Sequence, residues 1–412
     1  MAMALTAEQS GDSFFERLLG LPAGALPIPL DTQSNSLLTG ARKSDEPKDP
    51  VLWTKIASSV EALPRPVLQV WYWPDAAPFA VSLSHDVDEV RWSWRRRLLM
   101  AGRHPGTLLE KKERYWNFDR VVALEESRGV RSSWYFVADG SHPRDPPYRL
   151  RDVSAIMREL QGKGFEVGVH GSFLSYNDAG RMKREHDAIC QTLSRPVPGV
   201  RQHFLNFDPN STWRHQEAAG FSYDSSMARN DTSGFSVGLA LPYRPPARKL
   251  LEIPLILMDG QLFWHERFTV EQAIANCQSL ASRVQATGGL LTLNWHQHTF
   301  DEYSFPGWWE VYSQMVDFLR ARTTLFLTSE QVMRWWEVRE GISVKAKSDG
   351  AGSGEWTVTS PVATDTVAVR LLGGTPRYLE SSGGGRTVIR DGEPYLVLQL
   401  KAGEPLTVSA GW

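Results

Sequence analysis

The sequence predicts an α/β fold: a mainly parallel sheet or barrel, preceded by an N-terminal extension and followed by a small all-β domain. Three observations predict it. From Pro78 to about Glu340, short apolar runs alternate with stretches of helical period. Gly129, Gly164, Gly220 and Gly288 fall at the expected helix-to-strand junctions, where a left-handed C-cap belongs. Beyond residue 343 the pattern changes to turn-rich, β-like stretches.

Taken in order, residues 1–75 are rich in Pro and polar side chains, as in Ala41–Pro50, and read as an extension with short helices. Strands are expected at 79–86, 132–138, 165–170, 198–204, 221–225, 250–258, 289–296 and 324–328. Between them, helices are expected at 119–128, 151–162, 179–194, 209–219, 269–287 and 307–321. Lys347–Gly354 reads as a linker or loop. The β-like stretches 356–359, 366–371, 387–389, 395–400 and 406–409 follow, with Gly373-Gly374 and Asp391-Gly392 as hairpin turns. These imply a half-sandwich packed on the barrel. The domains are thus expected at 1–75, 76–342 and 343–412.

Bulk composition narrows the function classes. The 412 residues carry a formal net charge of −2, which gives no global attraction to nucleic acid. With only Cys190 and Cys277, the fold needs no disulfide framework. The N-terminus shows Glu8, Asp12 and Glu16 and no basic start, unlike a signal peptide, and no apolar run is long enough to span a bilayer. A cytoplasmic location is the expectation; nothing indicates the oligomeric state.

The chemistry-bearing residues gather at predicted strand ends. In Ser84-His-Asp-Val-Asp88, alternation puts Ser82, Ser84, Asp86 and Asp88 on one face. Two adjacent carboxylates repel; a cation between them, or a division into metal ligand and proton acceptor, resolves the conflict. A solvated Asp-x-Asp turn is the alternative for this motif alone. Glu166–Ser172 is a strand ending in His170. Val200-Arg-Gln-His-Phe204 offers Arg201, suited to hold a carboxylate, and His203. Phe221–Ser226 ends in Asp224, and Leu291–His298 ends in His296 and His298. Active sites of βα barrels form at the C-terminal ends of strands, so five such ends point to one site.

In these segments the sequence resembles the polysaccharide deacetylases of carbohydrate esterase family 4, with the NodB homology domain. The resemblance covers residues 78–330 and rests on Ser84–Asp88, His170-Gly-Ser172, Arg201–Phe204, Tyr223–Ser226 and Leu293–His296, in the family's order. It implies a distorted (β/α) barrel of seven strands that hydrolyses N- or O-acetyl groups with one divalent metal ion, zinc being the expectation. It also implies Asp86 as general base, Asp88 and His170 as metal ligands, Arg201 as the tether of the base, and His296 as general acid oriented by Asp224. The expected substrate is an N-acylated amino sugar or sugar conjugate.

Two departures stand out. The family's second motif carries a further His four residues after the first, and here that position is Leu174. His203, where the family has Pro, is read as the replacement ligand; substrate contact or packing is its other reading. Second, residues 91–114 form an insertion with eight Lys/Arg and two Glu, a local charge of +6 (8 − 2), together with Trp92 and Trp94. It suits an anionic (nucleotide- or phosphate-linked) sugar or peripheral contact with acidic lipid headgroups, or is a solvated helix on the barrel rim. Two whole-protein alternatives stay open: a metal-free, allantoinase-like amidohydrolase of small cyclic amides or ureides, and a non-catalytic carbohydrate-binding barrel.

Overall fold

The computed structural model describes residues 14–21, 54, 58, 66–102, 113–323, 325–350 and 352–412. Most of the expected N-terminal extension, and Arg103, Lys111 and Lys112 of the basic insertion, lie outside the described residues. The first elements are α1 (Phe14–Leu19), β1 (Val67–Val70), β2 (Ala80–Val87), α2 (Trp94–Ala101), α3 (Phe118–Ser127), β3 (Ser133–Phe136), α4 (Leu150–Gly162) and β4 (Glu166–Gly171). Next come α5 (Ala179–Leu193), β5 (Gly199–Gln202), α6 (Thr212–Ala219), β6 (Tyr223–Asp224), β7 (Leu251–Glu252), β8 (Leu257–Met258), α7 (Val270–Ala286), β9 (Leu290–Asn294), α8 (Trp308–Arg320) and α9 (Ser329–Glu340). The last strands are β10 (Ser343–Gly350), β11 (Ser353–Thr359), β12 (Thr364–Leu372), β13 (Tyr378–Ser381), β14 (Gly385–Arg390), β15 (Glu393–Leu400) and β16 (Leu406–Gly411).

Two compact units result. Of the described residues, one contains those from 80 to 333; the other contains 14–21, 54, 58, 66–79 and those from 334 to 412. In the first, all strands pair in parallel in the order β7-β6-β5-β4-β3-β2-β9-β8. The two edge strands are pieces of one extended stretch, Leu251–Met258, which pairs with β6 at its start and β9 at its end. Seven strands therefore curl into a distorted barrel, with Pro254 in the break, where a missing N–H rules out continuous pairing. Every residue of β2 is buried, because helices cover one face and the barrel lumen encloses the other.

The lumen is polar as well as apolar. Tyr135 and Tyr223 share a hydrogen bond of 3.0 Å, and Tyr223 donates to Glu166. Both rings need room on the neighbouring strands: a Cβ on Gly168 would collide with Tyr135 and one on Gly199 with Tyr223. At the base of the barrel, the described residues 325–328 of the expected strand 324–328 form no strand. Phe326 makes one bridge to Val81, and α9 then begins under a reciprocal cap between Thr328 and Gln331. Hydrogen bonds from Ser133 Oγ and Tyr135 Oη to Ser329 Oγ, at 3.3 and 3.1 Å, fix that turn.

The second unit is a full sandwich, not the half-sandwich expected. Its antiparallel sheets run β1-β12-β15-β14 and β10-β11-β16-β13. Inward residues of both, including Val358, Val369, Leu398 and Val408, form one buried cluster. Alternation along β11 and β16 shows the physical reason: each strand has one apolar face to cover, and a second sheet covers it. Strand β1, from the segment preceding the barrel, completes the first sheet against β12.

Candidate active site

The C-terminal ends of β2, β4, β5, β8 and β9 meet at a cleft of about 330 Å³. Asp86, near the end of β2, is held from two sides. Arg201 Nη1 donates to its Oδ1 at 2.9 Å, and Asn294 Nδ2 donates to its Oδ2 at 2.8 Å. Arg201 is itself buried, donating to Ser84 Oγ at 2.9 Å and, through Nε, to the Ser225 carbonyl at 3.0 Å, with Tyr135 under its guanidinium. Burial pushes the Asp86 carboxyl up, but the charges of Arg201, His170 and His296 together outweigh it and the net shift is downward.

Asp88, just past β2, faces three imidazoles. Nε2 of His170 lies 3.3 Å and Nε2 of His203 3.6 Å from its Oδ1; Nε2 of His296 lies 3.4 Å from its Oδ2. Asp88, His170 and His203 offer ligand atoms that all lie within 4.8 Å of one another. The donor set fits a divalent cation on two counts. Asp88 Oδ1 is buried and accepts no hydrogen bond. His170 Nδ1 sits 2.9 Å from the Arg201 carbonyl, which can only accept, so Nδ1 carries the proton and Nε2 turns a lone pair toward Asp88. Two lone pairs facing each other in a buried site call for a positive charge between them.

His203 reaches this position by an irregular backbone. Strand β5 ends at Gln202, and Phe204 and Leu205 take left-handed conformations, φ 57° and 52°. Such a turn costs about 1–2 kcal/mol per residue and places His203 beside β4. Its Nδ1 faces Asp145 at 3.9 Å, and Asp145 is anchored by the Phe173 and His142 amides at 2.6 and 2.8 Å. Burial lowers the His203 pKa, and the Asp88 and Asp145 carboxylates more than reverse this, taking it to about 9.

His296 is not oriented by Asp224. Its Nδ1 donates to Asp259 Oδ1 at 2.7 Å, while its amide and Thr299 Oγ1 donate to Asp259 Oδ2 at 2.9 and 3.0 Å. Burial acts against protonation, and Asp259 with Asp88 raises the ring to about 10. Asp224 instead accepts from Ser226 Oγ at 2.6 Å and stands in register with Glu252 on β7. Sequence reasoning missed Asp259 and Asn294. Asp259 ends the stretch 250–258 just before Gly260, so the strand-end rule that found the other residues applies to it as well. Leu174, at the position of the absent His, is 43 % exposed. Trp264 and Phe204, each 50 % exposed, also line the cleft.

No family model matches the sequence, and no curated protein does. Among solved structures, the chain is similar to a protein assigned as a polysaccharide deacetylase from Mycobacterium smegmatis. The identity is 16%, covering 68% of this chain and 98% of that one, at a TM-score of 0.47. A Pseudomonas aeruginosa PAO1 protein of the same assignment gives 17%, 65% and 93%, with a TM-score of 0.48. A CE4 family pseudoenzyme from Bacillus anthracis gives 10%, 62% and 65%, with a TM-score of 0.34. At such distances a likeness says nothing about the reaction, which the site itself must carry.

Proposed function

We propose that the cleft is the active site of a metal-dependent amidohydrolase that removes an N-acetyl group from an amino sugar or sugar conjugate. One observation carries the reading: a buried Asp88 oxygen without a donor, ringed by His170 and His203 at ligand spacing. Those three residues would hold the ion. When bound, a divalent cation, zinc by expectation, supplies Lewis acidity toward a carbonyl oxygen and lowers the pKa of water.

The protein's own groups divide the proton chemistry. Arg201 and Asn294 keep Asp86 ionised and aimed at the cleft, so its carboxylate takes a proton from the attacking water. His296, with Nδ1 committed to Asp259, holds a proton at Nε2 for the departing amine. Trp264 and Phe204 offer apolar faces on which a sugar ring can stack, and a cleft of about 330 Å³ suits a small sugar unit. Among the described residues, the cleft lining holds no Lys or Arg.

The test is metal content of the purified chain together with acetate release from N-acetylated sugars. The reading requires about one ion per chain, activity lost on chelation, and both lost in His203→Ala. Activity without an ion would return the protein to the metal-free alternative, and a bound ion without acetate release to the carbohydrate-binding one.

A further inference from the structure

Helix α2 is amphipathic the wrong way round for a solvated helix. On a helical projection Trp94, Leu98, Arg95 and Leu99 fall on one continuous arc. All four are exposed, Trp94 at 67 % and Leu99 at 69 %. The opposite side holds cations that already have partners. Arg96 lies over the Tyr115 and Phe305 rings at 5.3 and 5.5 Å, and Arg97 is bound to both oxygens of Glu113 at 2.7 Å. The helix therefore turns Arg96 and Arg97 inward and its large apolar side chains, with Arg95, outward.

The surroundings repeat the pattern. Among the described residues of the barrel unit, the other exposed large apolar side chains are Leu174, Phe204, Trp264 and Tyr303. Each follows the C-terminal end of a strand, as α2 does, so all of them belong to the end of the barrel that carries the cleft. Phe305, under Arg96, is 6.3 Å from Trp264, which lines the cleft. An apolar rim confined to one end is unusual for a surface that meets only water.

Charge selects the partner. Residues 91–114 carry +6 in a chain whose total is −2, so the remainder sums to −8 (−2 − 6). A symmetric contact of this face with the same face of a second copy would bring two such segments together and be repelled, whereas an acidic surface attracts them. We propose that the outward arc of α2 (Trp94, Arg95, Leu98 and Leu99) docks on a bilayer bearing anionic headgroups, its apolar side chains entering the interface and Arg95 meeting a lipid phosphate.

The experiment is flotation of the full-length chain with vesicles of phosphatidylcholine alone, or with about 30% phosphatidylglycerol added. The chain floats with the acidic vesicles, and far less with the neutral ones. The pair Leu98→Ser and Leu99→Ser lowers the partition by at least about tenfold, and Arg95→Gln lowers it about fivefold. Ile389→Ser, on an exposed strand of the sandwich, leaves it unchanged. Because the altered side chains are exposed, thermal melts of the variants match the parent and exclude unfolding as the cause. Three results overturn the proposal: no flotation of the parent chain with acidic vesicles, flotation of the Leu98/Leu99 variant equal to the parent's, or a parent dimer that the variant abolishes. The last would assign this face to a second copy. Partition does not depend on hydrolysis, so the outcome stands apart from the proposed reaction.

Discussion

Two places in the barrel each hold a pair of acids, and they satisfy them in opposite ways. At the cleft, Asp86 and Asp88 are surrounded by Arg201 and three imidazoles, and both carboxyls lie below their ordinary range despite burial. Around β6 and β7, Asp224 and Glu252 meet only neutral donors: Ser226, Trp213 Nε1 at 2.9 Å and the Met227 amide at 3.1 Å. There burial dominates, pushing Asp224 up to about 6 and Glu252 well above the usual carboxylate range. The first pair is built to keep negative charge, the second to keep a proton. A buried acid alone thus says little about function; what faces it decides.

The strongest way to break this contrast is to remove the charge at the cleft. Asp88→Asn or His203→Ala is expected to reduce bound metal from about one ion per chain to background and to cut acetate release about 10²–10³-fold. Asp86→Asn keeps the ion and lowers kcat on the order of 10³-fold, because only the proton acceptor is lost. Metal analysis beside initial rates separates these two outcomes. Asp259→Asn acts through His296 and is milder: kcat falls about 10–100-fold with metal content unchanged. Chelation of the parent chain is expected to lower its Tm and zinc to restore it, while Asp88→Asn shows neither response.

The smallest expected effect lies at the second pair. Asp224→Asn changes hydrolysis by less than about twofold, since Asp224 is bonded to Ser226 and stands beside Glu252 rather than against the cleft carboxylates and imidazoles. It alters pH-dependent stability instead. Unfolded, Asp224 loses its proton near 3.8, whereas in the fold it holds it to about 6. Between those values the native state binds more protons, so stability falls as pH rises and levels off above the upper value. Asp224→Asn removes that decline, and denaturant melts at pH 4 and pH 7 measure it. A large loss of kcat in this variant would instead restore Asp224 to the site.

Much of this was legible because strand periodicity is local. The alternation that puts Ser84, Asp86 and Asp88 on one face of β2 needs no knowledge of neighbours, and the positive φ of Gly129 and Gly220 follows from where helices must stop. Helix α9 escaped notice because its cap, Thr328 with Gln331, lies directly after a run that reads as a strand. The sandwich was underestimated because β1 is separated from its partner β12 by the whole barrel sequence. Asp259 was overlooked because β8 is two residues long and leaves almost no periodic signal.

The order of strands and helices, the polar face of β2 and the presence of His203 where a second imidazole ligand was wanted are all written in the chain, since each depends on residues a few positions apart. Which carboxylate meets which imidazole is not. Asp224 and Asp259 look alike as acids at strand ends, yet one lies beside Glu252 and the other on His296 Nδ1. Barrel closure by the broken stretch Leu251–Met258 makes that choice, because it alone sets which strand end stands next to which across distant parts of the sequence.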